Sequence, residues 1–202
     1  IKLKPIKYLL SPYLTSQSYY KIKDKYQSRI YGDSLFEEVY RYSEEAKRIA
    51  MEESFDIIHC HDWMTFKAGI NAKRIKNKPL IVHVHSTEFD RTGGNYINQY
   101  VYDREKEGMK SADAVIAVSN FTKNKVVQNY SINPDKINVV HNAVELEGDN
   151  ATKEFEIKKY DKIVLFLGRI TLQKGPDYFL YAAKKVLSYN PNVKFIIAGS
   201  GD

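Results

Sequence analysis

The sequence predicts an α/β protein built on parallel sheets, and three observations carry that expectation. Short runs rich in β-branched residues alternate without exception with stretches of helical apolar spacing, which demands parallel strands joined by right-handed crossovers. Polar residues, histidines among them, collect where those runs end, the edge at which parallel sheets place ligands. The periodicity then lapses between Ala143 and Tyr160 and restarts, so a second unit of the same kind is expected after a linker.

The elements follow in order. Ile1 to Ile30 mixes Pro5 and Pro12 with Tyr8, Tyr13, Tyr19, Tyr20 and Tyr26 among lysines, and reads as loop and short pieces, an arm over the body. Leu35, Phe36, Val39, Tyr42, Ala46, Ile49 and Ala50 recur at helical spacing, Ser34 with Glu37 makes a capping box, and the helix should end near Glu53. A strand over Asp56 to Cys60 leads to a helix from Trp63 to Ile75, and Lys78-Pro79 bounds the strand Leu80 to Val84. A helix from Tyr96 to Met109, a strand Ala114 to Val118, a helix Phe121 to Tyr130 capped by Ser119 or Asn120, and a strand Ile137 to Val140 complete the first block.

Glu145, Glu147, Gly148, Asp149, Asn150 and Lys153 fill the polar linker. A strand Lys162 to Leu167, a helix opened by Gly175-Pro176 and running to Ser188, and a strand Val193 to Ala198 follow, Pro176 suiting the first turn where its missing N–H costs nothing. The expected organisation is a Rossmann-like lobe over 1–142, a linker over 143–160 and the start of a second Rossmann-like lobe over 161–202. A single strand-helix-strand unit cannot cover both faces of its sheet, so the sequence reads as a piece of a longer protein.

The composition is that of a globular chain, with 202 residues, 43% hydrophobic and 28% charged. No apolar run reaches the roughly 18 to 20 residues of a membrane span, and Ile1 to Leu10 lacks the apolar core of a signal peptide. Cys60 is the single cysteine, which forbids an intrachain disulfide and fits a reducing compartment; a cytoplasmic protein is expected, with Cys60 as packing. The net charge of +6 is concentrated in Lys2, Lys4, Lys7, Lys21, Lys23, Lys25 and Arg29 against Asp24, leaving the remainder neutral. Such an arm could touch an anionic membrane surface, but a solvated face is favoured, and no motif supports nucleic acid.

Four clusters fall at strand ends: His59-Cys60-His61-Asp62, His83 to Glu88, Ser119-Asn120 and Gly168-Arg169. Gly168-Arg169 after Val164 to Leu167, with Lys174-Gly175 before a helix, puts two cations and a helix dipole together, equipment for holding a leaving diphosphate in a sugar or nucleotide transferase. His59 with His61, and His83 with His85, stand two apart, so each pair shares a strand face; a metal-dependent hydrolase is the competing reading. Against it, the spacing of binuclear zinc hydrolases is absent and a strand histidine is commonly a hydrogen-bonded core residue. Asp62 reads first as the N-cap of the next helix, and Trp63 as packing near a cleft. A non-catalytic binding module on the same fold is the third reading.

The strings Asp56 to Trp63, Val82 to Arg91, Ser111 to Asn120, Val139 to Val144 and Phe166 to Asp177, in this order and spacing, resemble the GT-B, family 4 retaining glycosyltransferases, in particular the glycogen and starch synthase-like branch. The resemblance covers most of Ser34 to Asp202. It implies a partial GT-B fold whose two lobes form a cleft around a nucleotide-diphosphate sugar. It implies that Gly168, Arg169 and Lys174 bind the donor diphosphate, that His61 lies against the donor sugar as the catalytic residue, and that His85, Ser86, Thr87, Glu88 and Asp90 face the acceptor side. No metal and no cofactor is then expected, protein cations offsetting the leaving charge, and the acceptor is a carbohydrate or another hydroxyl. The family's first strand, its glycine-rich loop and its Glu-x7-Glu element find no counterpart in this sequence. The chain alone is therefore expected to be inactive.

Overall fold

A computed structural model describes Ile6 and residues 35–94, 96–144 and 162–200. The basic arm apart from Ile6, Ser34 of the expected capping box and most of the 143–160 linker lie outside these residues. The chain divides into two compact units, Ile1–Asn142 and Ala143–Asp202.

In the first unit the described elements are α1 (Leu35–Glu52), β1 (Ile58–His61), α2 (Trp63–Lys76), β2 (Leu80–Val84), the single-turn α3 (Glu88–Arg91), α4 (Gln99–Ser111), β3 (Ala114–Ala117), α5 (Asn120–Tyr130) and β4 (Ile137–Val139). The four strands form one parallel sheet in the order β1-β2-β3-β4. Register pairs Cys60 with Val82 and His61 with His83 on β1 and β2, then Val82 with Val115 on β3. Alternation along each strand thus sends Cys60, Leu80, Val82, Val84, Val115 and Ala117 to one face, where they are buried, and His59, His61, Ile81, His83 and Ile116 to the other, where they are exposed or half-buried.

The core lies between the first face and the helices, with Val39, Phe66, Ile70, Met109, Val126 and Tyr130 packed on the strand residues. Each such side chain contributes about 1.5–3 kcal/mol by leaving water. The helices approach closely because glycine stands at the contacts. A Cβ on Gly69 of α2 would fall 2.8 Å from Leu80 Cδ1, and one on Gly108 of α4 would fall 2.6 Å from Phe66 Cγ. Gly108→Ala should therefore destabilise the unit by about 1–3 kcal/mol of overpacking, set against about 0.5–1 kcal/mol of helix propensity gained. A melting temperature below that of the parent checks this; a higher one would mean that Phe66 yields freely.

The structure extends the sequence reading in two places. The helix expected from Tyr96 begins at Gln99, because the Asn98 side chain caps it by accepting from Val101 N at 3.2 Å, while Tyr96 is held at φ 51°. The single turn α3 was not expected; Thr87 and Asp90 build a capping box around it.

The second unit holds β5 (Lys162–Leu167), a 3₁₀ turn Leu172–Lys174, α6 (Pro176–Tyr189) and β6 (Val193–Ala198), with β5 and β6 parallel. Phe179 of α6 packs on Phe166 and Phe195, ring centres 5.4 and 5.7 Å apart. Among the described residues, no helix is long and apolar enough to cross a membrane.

Candidate active site

The candidate site of the first unit is built where β1 and β2 end. Direct pairing of His61 with His83 sets four imidazoles side by side on the open face of the sheet. Ring centres lie 4.5 Å apart for His59 and His61, 4.9 Å for His61 and His83, and 4.3 Å for His83 and His85. His61 Nδ1 and His85 Nε2 share a hydrogen bond of 2.9 Å. In a neutral pair one ring donates and the other accepts, so the tautomer of His85 fixes whether His61 Nε2 offers a proton or a lone pair.

Charge on the two central rings, His61 and His83, is disfavoured. Burial lowers the His61 imidazole below its usual range, aided by His59 and His85, and burial pushes His83 down to about 4, aided by His85, His61 and His59. Both ring nitrogens of His83 are out of solvent and without a hydrogen-bond partner. His59, His61 and His83 each bring one ring nitrogen within 4.8 Å of the others, the one metal-competent grouping among the described residues. His59 is not the buried, hydrogen-bonded core residue expected; strand alternation puts Cys60 in the core and His59 on the exposed face. Cys60 is packing, and burial pushes its thiol up to about 11.

Asp62 corrects the capping expectation. It sits at φ 58° and ψ 168°, a region that side chains rarely occupy, and makes no side-chain cap. Its N–H donates to His83 O at 2.9 Å, and its carboxylate accepts from His85 N at 2.8 Å. Thr65 Oγ1 donates to His61 O at 2.8 Å and to Asp62 O at 3.1 Å. Strain stored at Asp62 is thus held by ties to both strand ends, and it fixes the backbone that carries His85. The nearby Trp63 is buried, its ring centre 6.2 Å from that of Phe36.

Beyond His85 the side chains turn inward. Thr87 is fully buried and its N–H and hydroxyl donate to Asp90 at 2.8 Å, while Asp90 also pairs with Lys125. Burial opposes ionisation of Asp90, yet Lys125 and Thr87 hold its carboxyl below the usual range. Glu88 is buried and bound by Arg91 Nε at 3.3 Å and Asn98 N at 3.0 Å. Arg91 donates to Ser86 O and Oγ at 3.1 Å and pairs with the buried Glu105, which also receives the Tyr130 hydroxyl and Glu88 N. Of the expected acceptor-side residues, His85 and Ser86 stand at the strand end, while Thr87, Glu88 and Asp90 hold the turn behind it. Arg91, Glu105 and Tyr130 were missed; the only local signal was an arginine three residues after Glu88.

The remaining expected residues belong to the second unit. Gly168 follows β5 at φ 150°, its N–H donating to Ala198 O at 3.0 Å, and Arg169 comes next. Lys174 closes the 3₁₀ turn with an exposed side chain, and Gly175 at φ 63° leads into α6, whose first helical residue is Pro176.

Residues 14–147 match the model of Glycosyltransferase Family 4, and residues 148–202 match Glycosyl transferases group 1. The chain belongs to glycosyltransferase family 4. An uncharacterized glycosyltransferase of Methanocaldococcus jannaschii is 35% identical over 162 residues, spanning 74% of this chain and 41% of that protein. The alpha-maltose-1-phosphate synthase of Mycolicibacterium smegmatis is 30% identical over 168 residues, spanning 74% of this chain and 42% of that protein. The family 4 chain thus spans about two-fifths of the length of these relatives. Among solved structures it resembles TarM with a TM-score of 0.58 at 20% identity, over 78% of this chain and 31% of that one, a likeness of fold. These family 4 matches favour neither the hydrolase nor the binding-module reading.

Proposed function

We propose that the whole protein transfers a sugar, with retention of configuration, from a nucleotide-diphosphate sugar to a carbohydrate or other hydroxyl acceptor, an α-glucan in a glycogen synthase-like reaction being one such acceptor. The observation that carries the reading is the succession, along one chain, of a family 4 match and a group 1 match. In this reading His61 lies against the donor sugar with its tautomer set by His85, and Ser86 stands on the acceptor side. Thr87, Glu88 and Asp90 act from behind by holding that segment.

Gly168, Arg169 and Lys174 bind the donor diphosphate. Arg169 follows a strand end, and Lys174 precedes the amino terminus of α6, where unpaired N–H groups and the helix dipole favour an anion. Two protein cations offset the charge of the departing nucleoside diphosphate, so the reaction needs no metal or cofactor. The single thiol suits a reducing, cytoplasmic setting.

Arg169→Ala and Lys174→Ala in the whole protein should each lose about 1.5–3 kcal/mol of charge-assisted binding, roughly a 10- to 100-fold fall in kcat/KM. Donor sugars carrying UDP, ADP or GDP, screened by ligand-induced thermal shift, should raise the melting temperature of the parent and raise it less in both variants. Unchanged kcat/KM in both variants would overturn the diphosphate assignment.

A further inference from the structure

We propose that His59, His61 and His83 form a binding site for a divalent transition-metal ion, with Zn²⁺ the best fit. The three residues come from two adjacent parallel strands whose register places their side chains on one face, and their nearest ring nitrogens already lie within 4.8 Å of one another. Zinc bound to imidazole at about 2.0–2.1 Å draws its nitrogens to roughly 3.3 Å. The rings stand within 33° of parallel, and rotation about their Cβ–Cγ bonds turns the nitrogen edges inward.

A second observation points to a ligand. A neutral imidazole carries one N–H donor and one lone pair, and His83 has neither satisfied although both nitrogens are shielded from water. A metal bond satisfies the lone pair. His61 meets the ion through Nε2, because its Nδ1 is engaged by His85 Nε2 at 2.9 Å, the kind of outer contact that orients a ligating ring. Three imidazoles without a carboxylate select zinc, copper, nickel or cobalt over magnesium or calcium, and leave the fourth position to water.

The site has a consequence that rests on the transferase reading: an ion held by His61 withdraws that ring from the donor sugar, so the metal inhibits transfer. Binding itself does not depend on that reading. Co²⁺ is the probe, added to the full chain, with visible absorption reporting coordination and Zn²⁺ competing for the site. One equivalent of Co²⁺ should bind, displaced by Zn²⁺, and His59→Ala and His83→Ala should each weaken binding by about 10- to 100-fold or more. His141→Ala, which lies beyond the end of β4, two strands away from β2, should leave it unchanged, with far-UV circular dichroism confirming that all variants fold. Absence of stoichiometric binding, or equal binding in the folded His59→Ala and His83→Ala variants, would overturn the site. Stoichiometric binding that leaves transfer by the whole protein unaffected would keep the site and overturn the inhibition.

Discussion

Glu105→Ala is expected to cost the first unit about 3–5 kcal/mol, a large part of the stability a typical domain has. Glu105 is almost fully buried on α4 and is the shared acceptor for the Arg91 guanidinium, the Tyr130 hydroxyl and Glu88 N. Burial pushes its carboxyl up, and Arg91 and Tyr130 pull it back. Removing the carboxylate leaves Arg91 half-buried with Glu88 as its remaining carboxylate partner and orphans the phenol of Tyr130, whose own ionisation burial already suppresses. Urea denaturation should show a lower midpoint with little change in slope. The double change Glu105→Leu with Arg91→Met should recover part of the loss, since an apolar pair costs less than a broken ionic one. A midpoint within error of the parent for Glu105→Ala would show that the network contributes nothing.

In the whole protein, His61→Ala should lower kcat/KM by about 10²- to 10³-fold, the scale on which a single positioned donor acts in a transition state. Folding should survive, because His61 is exposed and its ring contacts among the described residues are with other histidines. His85→Ala should act on the same step, since the two rings share one hydrogen bond, and the double variant should lose little more than either single one. Turnover that survives in His61→Ala would reduce His61 to a structural role.

The alternation of strands and helices was legible because each strand carries a compact apolar run and each long helix an apolar stripe; Leu80–Val84, Lys162–Leu167 and Val193–Ala198 begin and end where the sequence places them. The turn Glu88–Arg91 was not legible, because Phe89 is its only apolar residue and one residue has no period. Asp62 was misread for a different reason. An aspartate before a helix is locally a cap, but a neighbouring strand offers His85 N, and that tertiary partner wins the carboxylate. The meeting of Arg91 with Glu105 depends on two helices separated in sequence, so spacing alone gives no hint of it. The histidines lay between these cases: alternation predicts that His59 and His61 share a face, but only the register of β1 with β2 shows that His83 joins them.

That register has a further consequence for how the protein can vary. Odd positions of β1 and β2 face the site and even positions face the core, from His59 opposite Ile81 to Cys60 opposite Val82. Substitutions at odd positions therefore change the chemistry of that face while leaving the packing beneath it undisturbed. A one-residue insertion in either strand does the reverse, exchanging site-facing for core-facing residues, such as His59 for Cys60 or His83 for Val84, and damaging core and site in a single step.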